Sequence, residues 1–95
     1  MEEDKAIALL EVQALVAAIT GLDAMLKAAD VHFICAEKRL GGKLVTVVVE
    51  GSVSAVSAAL DAGVAAAAEV GTVKLHEVIA RPHPGILKFL KKKKV

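Results

Sequence analysis

The sequence predicts an α+β fold with the element order β-α-β-β-α-β and a short C-terminal helix. Short apolar runs rich in β-branched residues alternate with two longer segments of helical periodicity. A Gly-Gly pair joins the two central runs, and Gly or Pro residues separate most other segments. This order predicts the split βαβ, or ferredoxin-like, sandwich, in which two helices cover one face of a single sheet.

The period of the apolar residues changes between the first strand and the first helix. Residues 5–12 form a nearly continuous apolar run, which predicts a strand. From Ala14 onward, larger apolar residues recur at helical spacing: Leu15, Ile19, Leu22, Leu26 and Ala29. We expect this stripe to face the sheet, and we expect Asp23 and Lys27 to form an i,i+4 ion pair.

The second and third strands are predicted to form a hairpin. Residues 31–37 are extended and β-rich, and Gly41-Gly42 can adopt the positive φ of a tight turn. Residues 44–50 are almost all aliphatic or β-branched, which indicates a central strand buried on both faces.

The second helix is predicted to begin after Ser52, a good N-cap residue. Its apolar stripe consists of Val53, Val56, Leu60, Val64 and Ala67. Most of its other residues are Ala or Gly, so the helix can approach neighbours closely on more than one side. We expect Gly71 to end this helix as the C′ glycine.

The last part of the chain is predicted to hold a strand and a short helix. Residues 73–80 read as the strand, and the two prolines of residues 81–84 favour an extended backbone. Residues 86–90 form an amphipathic segment with Pro84 near its start. We therefore expect one domain over residues 5–90 and a basic tail over residues 91–95.

The composition indicates self-association. The 95 residues are 56% hydrophobic, which is more apolar surface than so small a monomer can bury. The formal net charge of +1 gives no nucleic-acid signature, and no apolar run is long enough to span a membrane. The acidic start and the single Cys35 suggest a soluble cytoplasmic protein without a disulfide.

No pattern in the sequence predicts catalysis, a metal or another cofactor. The serines near the start of the second helix have no nearby His–Asp pair, and Cys35 is expected to be a packed strand residue. The three histidines lack metal-ligand spacing: His32, His76 and His83. Residues 45–49 lack the aromatic side chains with which similar sheets stack on RNA. We therefore expect neither an enzyme nor a nucleic-acid-binding protein.

Several segments, each weak alone, occur in the same order as in one known family. They are Leu10-Glu11, residues 15–19, residues 23–29, Glu37-Lys38, Gly41-Gly42, residues 44–47, residues 61–67 and residues 79–83. Through them the chain resembles a bacterial microcompartment shell protein of the single-domain, hexamer-forming type found in carboxysomes and metabolosomes. The resemblance covers roughly residues 6–90.

The resemblance implies a structural role in the shell of a bacterial microcompartment in the cytoplasm. The expected assembly is a homohexamer, tiled with neighbouring hexamers and other shell proteins into a sheet. A central pore would pass small polar or anionic metabolites by passive diffusion. Enzymes enclosed by the shell are further expected partners through their targeting peptides.

The resemblance also implies site residues. The pore-lining set is Arg39, Leu40, Gly41, Gly42 and Lys43. The set at the hexamer edge is Lys27, Asp30, Arg81 and His83. The basic turn with its backbone amides would give a positive constriction that favours anions.

The sequence departs from the family pattern at three places. The turn at Gly41-Gly42 is one residue longer than the usual Lys-Ile-Gly-x-Gly. The resemblance therefore does not fix the shape of the pore. Residues 11–14 read Glu-Val-Gln-Ala where Glu-Thr-x-Gly is common, and Asp30 stands where Asn is frequent. The last change lies close to Lys27 and could alter pairing at the edge.

Two other functions are compatible with the sequence. A small-molecule-binding regulatory domain of the same fold would form a small closed oligomer, bind its ligand saturably and form no sheets. Alternatively, residues 86–94 could act as an amphipathic basic anchor for an anionic surface or for cargo.

Overall fold

The computed structural model describes residues 5–91, and the order of its elements is the predicted one. The strands are β1 (Lys5–Gln13), β2 (His32–Arg39), β3 (Leu44–Ser52) and β4 (Val73–Ala80). The helices are α1 (Leu15–Ala28), α2 (Val53–Ala68) and α3 (Pro84–Lys91). Residues 92–95 of the predicted basic tail lie outside the described residues.

The strands form one antiparallel sheet in the order β2-β3-β1-β4. Helices α1 and α2 each connect two strands that have another strand between them, so the ferredoxin-like topology is confirmed. The β2–β3 pairing is a hairpin, as predicted, and its register shifts by a bulge between Phe33 and Cys35.

The main hydrophobic core lies between the sheet and helices α1 and α2. Because strand side chains alternate, β1 and β3 contribute every second residue to this core. These strand residues are Ala6, Ala8, Leu10, Val12, Val45, Val47 and Val49. On the opposite face, α3 packs Leu87 and Leu90 against a smaller cluster that contains Ile7, Val48 and Cys35. Cys35 is therefore a packed strand residue, as expected.

The predicted buried stripe of α1 is wrong at three of its five positions, while Leu22 and Ala29 pack against the core as expected. Leu15, Ile19 and Leu26 are exposed, whereas the buried residues are Ala17, Ala18, Gly21 and Met25. The cause is the close approach of α1 to α2. A Cβ at Gly21 would lie 2.8 Å from Leu10 Cδ2 and 3.3 Å from the backbone oxygen of Gly63. Small residues therefore face the inside of the monomer, and the larger apolar residues point outward.

Helix α2 has the predicted N-cap and most of the predicted apolar stripe. The Ser52 hydroxyl accepts a hydrogen bond from the Ala55 N–H at 3.1 Å, which confirms the N-cap. Val56, Leu60 and Ala67 are buried, whereas Val53 is exposed.

The role predicted for Gly71 as a C′ glycine is wrong. Helix α2 ends at Ala68, and Gly71 does not have a positive φ. This position needs space instead, because a Cβ there would lie 2.8 Å from Gln13 O and 2.7 Å from Ala17 Cβ. The glycine therefore permits close packing of the loop against the β1–α1 junction.

The connection from β4 to α3 turns more sharply than predicted. Arg81 has a φ of 48°, so the expectation of an extended backbone fails there. Its N–H donates to Lys5 O at 2.9 Å, which extends the contact with β1 to the point where the chain turns away. Helix α3 begins at Pro84 as expected, and the Gly85 N–H donates to His83 Nδ1 at 2.9 Å.

Candidate functional site

The β2–β3 turn has an unusual left-handed backbone. Leu40, Gly41 and Gly42 have φ angles of 54°, 65° and 90°. A Cβ at either glycine would meet nothing within 4 Å, so the glycines are needed for their φ and not for space. The Lys43 N–H closes the turn by donating to Leu40 O at 3.2 Å.

All five residues predicted to line the pore lie together in this turn. Arg39, Leu40, Gly41 and Lys43 are exposed, and Gly42 is half-buried. The turn therefore presents two cations, one apolar side chain and a short stretch of open backbone to solvent. Such a surface can attract anions.

The β1–α1 junction holds the turn in place. The Ala14 N–H donates to Lys43 O at 3.0 Å, and the Gln13 N–H donates to Thr72 O at 2.8 Å. Ala14 itself has φ 79° and ψ 139°, a conformation that favours glycine. The family pattern carries Gly at this position, and this chain has Ala14 instead. This departure was the sequence signal for the strained backbone.

Two of the predicted edge residues lie at the opposite end of the sheet. Asp30 lines a cavity of about 370 Å³ together with Lys5 and Ser52. Arg81 is joined to Lys5 by its backbone hydrogen bond. Because Lys5 pairs with Ser52 and Gln13 pairs with Leu44, β1 and β3 run between this end and the turn. Nine residues of strand span roughly 27 Å.

The other two predicted edge residues lie at the ends of helices. Lys27 is in the last turn of α1, and its Nζ is 2.9 Å from Asp23 Oδ2, which confirms the expected ion pair. The Lys27 side chain is nevertheless 76% exposed and can reach another molecule. His83 is exposed just before α3, where its ring accepts the Gly85 hydrogen bond.

Sequence reasoning missed an apolar surface formed by α1 and β2. A groove of about 270 Å³ is lined by Leu15, Ala18, Ile19, Leu22, Phe33, Ala36, Lys38, Val45 and Val47. Ile19 is 58% exposed and Phe33 is 44% exposed. The sequence signal for this surface was the pair of small residues Gly21 and Gly63. They let α1 and α2 pack closely, so the large side chains of α1 are not needed between the helices.

The described residues give no sign of a metal site or a membrane span. Within residues 5–91, no group of three His, Cys, Asp or Glu side chains is placed to hold a metal ion. Over the same range, no helix combines the length and the apolar character needed to cross a bilayer.

Comparison with known proteins identifies the family. The sequence model of the BMC domain matches residues 6–82. The bacterial microcompartment shell protein PduA of Citrobacter freundii is 49% identical over 90 residues, which cover 95% of this chain and 96% of that protein. The chain belongs to the BMC domain family. The shell protein EutM of Salmonella typhimurium is also similar to this BMC chain, with 46% identity over 79 residues and coverage of 83% and 81%.

A solved structure has the same fold as this BMC chain. It is the crystal structure of a microcompartments protein from Desulfitobacterium hafniense DCB, with a TM-score of 0.83 and 31% sequence identity. The similarity covers 96% of this chain but only 49% of the other, so the BMC chain spans about half the length of that relative. The family and the fold predicted from the sequence are confirmed.

Proposed function

We propose that this chain is a structural shell protein of a bacterial microcompartment in the cytoplasm, built as a cyclic homohexamer that tiles into a sheet. The observation that carries the proposal is the inverted packing of α1. Small residues face the monomer core, while Leu15, Val16, Ile19 and Leu26 are exposed. A water-soluble monomer gains nothing from this arrangement, whereas a second copy would bury these side chains.

The position of this apolar surface supports a ring. The surface lies along α1 and the edge strand β2, on one side of the monomer. A contact between this side and a different surface of the next copy is heterologous, and heterologous contacts form a closed ring when the rotation between copies closes. Named relatives such as PduA and EutM are shell proteins, which supports the same assembly.

The two ends of the sheet suit the centre and the rim of such a disc. We assign the turn of residues 39–43 to the central pore, and Lys27, Asp30, Arg81 and His83 to contacts at the edge. The separation of roughly 27 Å along the strands supports this assignment. The molecule measures 35 × 25 × 17 Å, so it is flat enough to form a thin layer.

The pore would act by passive diffusion and without a chemical step. Arg39 and Lys43 are exposed on the turn, and repeating them around an axis concentrates their field in a narrow opening. A positive opening raises the local concentration of small anionic metabolites, and small neutral polar metabolites would pass by diffusion alone. The proposed role therefore needs no catalytic residue and no cofactor.

Other partners would bind away from the pore. Neighbouring hexamers and other shell proteins would meet the rim, where Lys27 is free to extend beyond its own helix. Helix α3 exposes Ile86 and Phe89 although its Leu87 and Leu90 pack on the sheet. This exposed apolar side suits the targeting peptide of an enclosed enzyme.

The mass of the protein in solution tests the proposed ring. A hexamer of 9.8 kDa chains has a mass of about 59 kDa by light scattering. We expect this mass for the proposed ring, whereas the regulatory alternative predicts a smaller closed oligomer. A stable dimer or trimer that binds a small molecule saturably would instead support the regulatory alternative.

A further inference from the structure

The proposed pore turn holds an apolar side chain in a conformation that its backbone disfavours. Leu40 has a φ of 54°, and a bulky residue in the left-handed region is an outlier. Glycine or asparagine would adopt this φ more readily. The side chain is also 72% exposed, the largest exposed fraction among the large hydrophobic residues of the described chain.

Packing within the monomer does not explain Leu40. In residues 5–91, it belongs neither to the core cluster beneath the helices nor to the cluster beneath α3. A backbone hydrogen bond from the Ala14 N–H to Lys43 O links the turn to the β1–α1 junction, and it does not involve the Leu40 side chain. Backbone strain combined with exposure is typical of residues that have a functional role.

We propose that Leu40 determines which anions pass the pore, because its copies form an apolar constriction between the cations of Arg39 and Lys43. This inference rests on the proposed hexamer and its pore. The cations attract anions to the opening. The apolar ring excludes water and cannot replace the hydrogen bonds to water that an anion loses on entering it. It therefore favours anions that lose water readily. Weakly hydrated anions are therefore the expected class of solute.

Iodide and chloride distinguish this mechanism from sieving by size. The two ions carry the same charge, so Arg39 and Lys43 attract both. Chloride is the smaller ion, whereas iodide is the more weakly hydrated one. A purely steric pore therefore admits chloride faster, and an apolar constriction admits iodide faster.

The experiment uses closed shells that contain this chain as their hexameric component and a halide-sensitive fluorescent protein inside. Stopped-flow mixing with iodide or chloride gives the entry rate of each ion. For the wild type we expect iodide to enter faster. In Leu40→Asn, whose side chain tolerates the left-handed backbone, we expect the preference to be lost or reversed. The control Leu40→Met keeps an apolar side chain and should keep the preference.

Each result separates this inference from the proposed function. If hexamers and closed shells form but Leu40→Asn leaves the ratio of the two entry rates unchanged, the role of Leu40 is overturned and the shell function stands. Faster entry of chloride into wild-type shells overturns it as well. If neither hexamers nor closed shells form, the proposed function fails, and the inference fails with it.

Discussion

At the scale of single residues, the backbone of Ala14 is the clearest sign of strain. Its φ of 79° is a glycine-like conformation, yet the N–H of this alanine holds the turn by donating to Lys43 O. The sequence could locate this position only through its departure from the family pattern. The Ser52 cap and the Asp23–Lys27 pair, by contrast, followed directly from local spacing and are present.

Replacing Ala14 by glycine should stabilise the protein. Relief of the strained φ outweighs the extra flexibility of glycine in the unfolded chain, and we expect a net gain of about 1 kcal/mol in the free energy of unfolding. Chemical denaturation of Ala14→Gly measures it. Ala14→Ser is the matched control, because it keeps a Cβ and should change little. A lower stability for Ala14→Gly would show that Ala14 is not strained.

At the scale of elements, α1 shows where a prediction from sequence fails. The order of strands and helices was predictable, because apolar periodicity and turn residues are local signals. The buried face of α1 was not, because apolar periodicity alone predicts that the larger residues face the core. Gly21 and Gly63 let the two helices approach, so Ala17 and Met25 fill the core while Ile19 remains outside.

Placing a charge on the outer face of α1 should disrupt the ring without unfolding the monomer. Ile19 is 58% exposed, so Ile19→Asp adds no buried charge to the isolated chain. In the proposed interface the carboxylate would be desolvated without a partner, and we expect the hexamer to dissociate. Light scattering gives the mass and circular dichroism the fold, with Ile19→Leu as the control that keeps the hexamer. A hexameric Ile19→Asp would place the interface elsewhere.

The attachment of α3 depends on packing and on one carboxylate. Glu50 Oε2 is 3.8 Å from Lys91 Nζ, and Oε1 is 3.5 Å from Lys5 Nζ. The Glu50 side chain is only 13% exposed and is less exposed than either lysine. Water therefore has less access to the carboxylate end of both ion pairs. Glu50 Oε1 is buried and accepts no hydrogen bond from the described residues, so the two lysine cations are what offset the desolvation of this carboxylate.

Removing the charge of Glu50 should loosen α3. For Glu50→Gln we expect a loss of about 1 kcal/mol, together with faster hydrogen exchange in α3 than in α2. Lys5→Gln is the matched comparison, because it removes one of the two pairs and leaves the link to Lys91 intact. Equal exchange rates in the wild type and in Glu50→Gln would mean that Leu87 and Leu90 hold the helix by themselves.

At the scale of the whole molecule, the two predicted sites lie at opposite ends of one sheet. The hairpin turn follows from sequence, but its distance from Lys5 and Asp30 depends on the register of β1 against β3. No local pattern fixes that register, and it became apparent only in the folded chain. In the proposed assembly, this separation lets one surface face the axis while the other faces a neighbouring ring.

Loss of the Lys27 cation should prevent tiling without affecting the ring. Lys27 is 76% exposed, and its pairing with Asp23 contributes little to stability. We expect Lys27→Ala to remain hexameric by light scattering but to form no extended sheets under the electron microscope. Asp23→Asn is the control, because it removes the same ion pair and keeps the cation. Sheets of normal extent from Lys27→Ala would remove this lysine from the edge.

The most direct test of the account is a cryo-electron microscopy reconstruction of the assembled wild-type protein. We expect a flat layer of six-fold discs, with residues 39–43 around the central axis and with Lys27 and Arg81 at the contacts between discs. The outer face of α1 should be buried between neighbouring copies within each disc. A closed dimer or trimer, or a ring with the β2–β3 turn on its outer rim, would contradict the account.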